Sequence, residues 1–263
     1  MPHNPASAPG AIHIVLQSKG GVGKSFVALH LAQYFADGGL PTAIFDSDPI
    51  TPTLARYQAL RVRYINFMQD DDLDVTQFDV LANEIVDASG HIVVLDTGSS
   101  NFIPMVNYLK GNGVLRVLSE LGRHVVIHSV LVGGAGGRET LAGLASTVET
   151  LEAAGYVAWL NSFFGPVIFD GKPFEETKAF GEIKDRLTGI VRIKQRAGTH
   201  QVLNLNALRE MTRRHLTYRE AMATGEFSLW DRQRLIEVQR EINNQLIAIF
   251  GCLEPVAAHV GES

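Results

Sequence analysis

Short, almost unbroken apolar runs recur along this chain. Between them lie longer stretches in which apolar positions return every three or four residues. The runs at residues 12–17, 42–45, 92–95, 124–132, 157–160 and 190–193 read as strands. The stretches at 25–36, 75–86, 103–119, 139–153 and 174–187 read as helices. Strands apolar on both faces, each followed by a helix, predict an α/β fold. The sheet is doubly wound, mostly parallel and twisted, with helices on both faces. A last helix is expected over 229–250, where Leu235, Val238, Ile242, Leu246 and Ile249 form a stripe. Such a stripe docks on its parent domain or, in the sharper reading, lies on a membrane. Glu237 and Glu241 on the polar side favour docking, because membrane-surface helices prefer Lys and Arg there.

Residues 11–250 are therefore expected to form one domain. The proline-containing segment 1–10, which lacks an apolar core, reads as a disordered tail and not a signal peptide. Residues 251–263 read as a flexible tail. Composition changes this picture little. Hydrophobic residues make up 46% of the 263 and charged residues 19%, enough for a sizeable core. No apolar run reaches the ~20 residues of a membrane span, so no stable membrane insertion is expected. The one cysteine, Cys252, forms no intramolecular disulfide and fits a reducing cytoplasm. Net charge is −5, yet residues 184–240 hold twice as many basic as acidic side chains. That region faces either solvent or an anionic partner such as DNA.

The candidate chemistry begins where the first strand ends. Ser18-Lys19-Gly20-Gly21-Val22-Gly23-Lys24-Ser25 stands between a strand and a helix. Glycines let the backbone curl so that several N–H groups face one concavity at a helix N-terminus, the arrangement that cradles nucleotide phosphates. Lys24 adds charge near the β and γ phosphates, and the Ser25 hydroxyl suits Mg²⁺. Phe26 follows directly and belongs to the same binding set. The usual G-x-x-x-x-G-K-[ST] pattern has glycine where Ser18 stands, and this loop has a second lysine, Lys19.

Two acids, Asp46 and Asp48, follow the second strand on one side of the extended chain. One would hold metal-bound water and the other would orient the attacking water; a turn-capping pair is the alternative. Asp96 ends the buried run at 92–95, where a strand delivers a carboxylate towards Mg²⁺. Thr97 to Ser100 would sense a terminal phosphate. Asn161 ends a late strand, where its amide either pairs with an adenine edge or closes an Asx turn. The glycine run 133–137 has no lysine in place and reads as a permissive strand-to-helix connection. His124 and His128 share a strand face without a third ligand at metal spacing and read as structural.

The Lys19–Ser25 loop, Asp46-Ser47-Asp48-Pro49 and Asp96 together resemble the ParA/MinD family of deviant-loop ATPases. His13 to Gln17, Trp159-Leu160-Asn161, Gly165-Pro166, Gly171-Lys172 with Phe174-Glu175, and Arg232 to Leu235 are similar to TraL-type conjugal transfer proteins. That second resemblance covers residues 11 to about 250. It implies a cytoplasmic ATPase, able to work beside the inner membrane, that forms an ATP-dependent homodimer and acts with conjugation or relaxosome proteins. Lys19 would match the lysine that reaches the partner subunit's phosphates, Lys24 the in-cis phosphate lysine, Ser25 the Mg²⁺ ligand and Asp48 the water-orienting acid. Phe26 departs from the family's common Thr or Ser, and Ile50-Thr51 from the Gln-Gly of partition ATPases. The expected activity is slow Mg-ATP hydrolysis that switches a dimer. A non-hydrolysing nucleotide-binding accessory protein and a small-molecule kinase or ligase on the same scaffold are the alternatives.

Overall fold

The computed structural model describes residues 10–70, 72–152, 154–194 and 199–251. The expected tails, 1–10 and 251–263, lie outside the described residues except for Gly10 and Gly251. Gly10 is described, and its carbonyl accepts a 2.8 Å hydrogen bond from the Arg123 guanidinium.

Seven parallel strands form the main sheet: β1 (Ile12–Val15), β2 (Thr42–Asp46), β3 (Arg63–Tyr64), β4 (Ile92–Asp96), β5 (Val125–Val132), β6 (Gly155–Asn161) and β7 (Leu187–Ile193). Their spatial order is β7-β6-β5-β1-β4-β2-β3. The chain leaves β1 towards β2 and β3, returns to insert β4 beside β1, then runs the other way. That reversal opens a crevice beyond the carboxyl ends of β1 and β4, where open α/β sheets bind ligands.

Strand alternation divides the core into two layers. Ile12, Ile14, Val93 and Leu95 point to one face, covered by α2 (Thr76–Asp87), α3 (Phe102–Gly111), α4 (Val114–Glu120), α5 (Gly137–Thr150) and α6 (Lys178–Ile183). Val15, Ile92 and Val94 point to the other, covered by α1 (Lys24–Asp37), α7 (Thr199–Arg213), α8 (Tyr218–Ala223) and α9 (Leu229–Phe250). The α9 stripe docks on the domain. Leu235, Ile242, Leu246 and Phe250 are buried, with Val238 and Ile249 packed beside them. No helix among the described residues is long and apolar enough to cross a membrane.

Two helical expectations need correction. The stretch 103–119 is two helices, because Gly113 adopts a left-handed conformation (φ 60°) and starts α4 anew. Within 174–187 only Lys178–Ile183 is α-helical. Thr177 caps it by accepting from the Phe180 amide, and Leu187 already belongs to β7. Helices α7 and α8 and the edge strand β3 were not foreseen.

Buried amides and imidazoles fasten α8 to α1. His30 Nδ1 lies 3.0 Å from the Phe26 carbonyl and must donate to it, so Nε2 accepts from the Tyr218 hydroxyl at 2.7 Å. Gln33 accepts from the Tyr218 amide at 2.8 Å. A second imidazole chain crosses the sheet. Trp159 donates to His128 Nδ1 at 2.9 Å, so His128 Nε2 carries its proton and donates to His13 at 2.9 Å. Burial holds His30 down to about 4 and His128 well below the usual range, His13 adding to the latter. The unfolded chain takes up protons below pH ~6.5, but the fold does not. The stability that these neutral imidazoles contribute is thus complete above pH ~6.5 and is lost as pH falls towards 4, by roughly 3 kcal/mol for His30 alone. Urea denaturation at a series of pH values should show this slope, flattened in His30→Gln. Equal slopes for the wild type and His30→Gln across that window would contradict it.

Candidate functional site

The loop after β1 is fastened at its entry by a residue whose role was not legible beforehand. Gln17 is fully buried. Its amide nitrogen donates to the Val130 and Thr140 carbonyls, both at 3.1 Å, and its oxygen accepts from the Ser18 amide and hydroxyl at 2.8 and 3.0 Å. One side chain therefore joins β1, β5 and α5 to the first residue of the loop. A Cβ on Gly143 of α5 would stand 2.5 Å from the Gln17 oxygen, so glycine is what allows this approach.

Gly21 and Gly23 have φ of 72° and 104°, a backbone that side-chain-bearing residues rarely adopt. A Cβ on Gly23 would also lie 2.9 Å from Asn161 Nδ2. Asn161 donates to the Val22 carbonyl at 2.8 Å and accepts from the Phe163 amide at 3.0 Å. Both ends of its amide thus hold the loop and the following turn, which is the Asx-turn alternative. Lys24 is 7% exposed and folds back to donate to the Lys19 carbonyl at 3.1 Å. Burial lowers its pKa, and the charges of Asp96 and Asp48 oppose that shift. Lys19 projects outward and meets Glu139 of α5 at 3.0 Å, an exposed pair.

The acids gather beneath the loop. Asp46 accepts from the Asp48 and Ala55 amides at 3.0 and 2.9 Å, which shapes the turn after β2. Asp48 accepts from the Ile50 and Thr51 amides at 2.9 and 3.0 Å and from the Thr51 hydroxyl at 3.2 Å. Gly98 passes so close that a Cβ there would lie 2.9 Å from the Asp48 carboxylate. Thr97 donates to the Val15 carbonyl at 2.7 Å, Ser47 to the Asp96 carbonyl at 2.9 Å, and Asn101 to the Ser47 carbonyl at 2.8 Å. These bonds tie the ends of β1, β2 and β4 into one rigid floor.

Asp96 is fully buried on that floor. The Ser25 hydroxyl is near enough to favour its ionised form, but neither carboxylate oxygen completes a hydrogen bond of normal geometry. Burial first, then the neighbouring Asp46, pushes Asp96 up to about 8. Burial also raises Asp46. A cation fits such a place. It would relieve the carboxylate repulsion and take up the unpaired oxygens. Among the described residues no group of three or more His, Cys, Asp or Glu could hold a metal alone.

From Gly21, Gly23 and Ser25 a cavity of about 300 Å³ runs between α7, α9 and β7. Its walls are mainly apolar, including Phe26, Phe163, Leu208, Val238 and Ile242. The Arg209 guanidinium stands 5.4 Å from the centre of the Phe163 ring.

Part of the basic excess of 184–240 is met locally. Arg192 pairs with Glu175, Lys194 with Glu241, Arg213 and Arg214 with Glu210, Arg219 with Asp37 and Arg234 with Asp231.

Comparison with known proteins agrees with the geometry. Two Escherichia coli proteins called Protein TraL are 37% and 36% identical to this chain over 238 and 236 residues. These spans are 90% and 89% of this chain and 97% and 96% of theirs. The solved structure of the MinD cell division protein of Aquifex aeolicus aligns over 89% of this chain and 97% of its own, at 13% identity and TM-score 0.47. The model of the CobQ/CobB/MinD/ParA nucleotide binding domain matches residues 13–251, and the chain belongs to that family.

Proposed function

We propose that this protein is a slow Mg-ATP-hydrolysing dimerisation switch that acts in plasmid conjugal DNA transfer. The observation that carries the reading is the fully buried Asp96 carboxylate. Both its oxygens are unpartnered, and it lies beside Ser25 and Lys24 under a left-handed glycine loop. The loop amides and Lys24 bind the triphosphate, with Lys24 already turned inward. Ser25, Asp46 and Asp96 would hold Mg²⁺, which when bound neutralises charge on the phosphate oxygens. Asp48 orients the attacking water. Lys19 leaves Glu139 and crosses to a second copy, where a cation supplied in trans stabilises charge on the transferred phosphoryl group. An exposed ion pair is worth at most about 1 kcal/mol, so that release is easy. Similarity to the TraL proteins supports a switch that works with conjugation or relaxosome proteins, in the cytoplasm beside the inner membrane. DNA is the proposed anionic partner of the basic region 184–240, where paired side chains would exchange their carboxylates for phosphates.

The test is the protein's mass in solution with Mg-ATP, with Mg-ADP and without nucleotide, alongside phosphate release. ATP should give a dimer that ADP does not, with slow turnover. Lys19→Ala should remain monomeric while still binding ATP, and Asp48→Ala should stay dimeric without releasing phosphate. A monomer in every state would refute the switch. One observation favours the non-hydrolysing accessory reading. Ile50 and Thr51 already take three of the roughly four acceptor sites of the Asp48 carboxylate, which leaves it little capacity to orient an attacking water. ATP-dependent dimers with no phosphate release would select that reading.

A further inference from the structure

We propose that Asn204 reads the base of the bound nucleotide, donating a hydrogen bond to a purine ring nitrogen in the cavity between the glycine loop and the α7–α9 cleft. The inference rests on the loop being the triphosphate cradle. The cavity begins at Gly21, Gly23 and Ser25, where phosphates belong, and ends among Phe163, Leu208 and Ile242. Its size and apolar walls suit a flat heterocycle. Of the cations that line it, Arg192 and Lys194 are each held by a carboxylate and Arg209 lies over the Phe163 ring.

Such a pocket needs a polar group to orient its ligand, and sequence alone nominates Asn161. That amide is engaged by Val22 and Phe163. Asn204, on α7, lines the same cavity and is 8% exposed. Its amide nitrogen is buried without a partner. A buried N–H without an acceptor is uncommon and costly. The sp² torsion of an asparagine amide is soft, so the N–H₂ end turns to the cavity at little cost. Purines present acceptor nitrogens on their edges, so the base supplies what the fold withholds. The left-handed Gly23, pressed against Asn161, keeps the loop clear of this path.

Calorimetric titration of the full chain with Mg-ATP and with magnesium ribose 5′-triphosphate tests this. The wild type should bind ATP more tightly than the base-free ligand. Asn204→Leu should weaken ATP about tenfold, the net value of one hydrogen bond, and leave ribose triphosphate unchanged. Its nucleotide-free melting temperature should equal or exceed that of the wild type, because no hydrogen bond is lost. Should the leucine variant not fold, Asn204→Asp, close in shape but without the donor, should show the same selective loss. Unchanged ATP affinity in the variants overturns the proposal, as does an equal loss for both ligands. So does a wild type that binds the two ligands alike. Lys24→Ala separates the two levels. It should weaken both ligands together, and if it weakens neither, the cradle itself is wrong.

Discussion

Lys24→Ala is expected to remove most of the stabilisation that Mg-ATP gives this protein, while leaving the nucleotide-free fold nearly as stable as before. Two opposing effects decide the second half of that statement. Lys24 is 7% exposed, and burial disfavours its charge. Its partners are the Lys19 carbonyl and the fields of Asp96 and Asp48. Removing the lysine abolishes both its desolvation and its attractions. The acids it leaves behind already resist ionisation, Asp96 being pushed up to about 8. The net change should be small, because the desolvation that is relieved offsets the attractions that are lost and Asp96 can take up a proton in place of the missing charge. The bound state is different. A charge-assisted bond to phosphate contributes about 1.5–3 kcal/mol, equivalent to a ten- to hundredfold change in affinity. At a ligand concentration of 100 Kd the wild type gains about 2.7 kcal/mol of stability; a variant with Kd a hundredfold higher gains about 0.4. Thermal unfolding with and without Mg-ATP reads this directly. A variant whose melting temperature rises with Mg-ATP as the wild type's does would show that the phosphates sit elsewhere.

The parts of the fold that were legible are those whose sequence signal is local. Five of the strands stand out because both faces are buried, so each reads as an apolar run, and the edge strand Leu187–Ile193 is marked by its apolar run at 190–193 although only Val191 is buried. The seventh, Arg63–Tyr64, is two exposed residues and has no such signature. The break between α3 and α4 carries a turn signal, Gly111-Asn112-Gly113, which the apolar spacing that resumes on both sides of it masks. Helix α8 did carry a readable signal, the capping box of Thr217 and Glu220, whose reciprocal bonds both form. Helix α7 buries chiefly Ala207 and Met211, too few to mark a face against its polar neighbours.

The site divides the same way. Lys24, Asp46, Asp48 and Asp96 were legible because parallel strands deliver their carboxyl ends to one edge, and the structure brings these four together. Gln17, Asn101 and Asn204 were not. An uncharged amide has no spacing rule, and its meaning depends on partners far along the chain, as with Gln17 and the Val130 carbonyl 113 residues away. Asn161 shows the converse. Its position was read correctly as a strand end, but its amide holds the loop and the turn.

Gly133→Ala is expected to be the most damaging single-methyl change, costing about 3 kcal/mol and roughly 10 °C in melting temperature. Conformation is not the reason. Gly133 has φ −86° and ψ −179°, an extended backbone open to any residue. The reason is contact, since an added Cβ would lie 1.9 Å from the Pro166 carbonyl oxygen and 2.8 Å from its carbon. Both are backbone atoms and cannot rotate away. That carbonyl already accepts from the Ile168 amide at 3.0 Å. The segment it belongs to leads into Val167 and Phe169, both buried in the core. Relieving the clash means lifting this segment, which loosens those side chains and disturbs the Asn161–Phe163 turn at the mouth of the cavity. Gly134 supplies the control one residue later. Its φ is 67°, yet nothing lies within 4 Å of its would-be Cβ. Gly134→Ala should therefore incur only the left-handed penalty, about 1–2 kcal/mol. Thermal unfolding of the pair separates crowding from backbone strain. If the two variants melt together, or if alanine at 133 melts with the wild type, the close passage of residues 165–167 over the end of β5 is not what makes glycine necessary there.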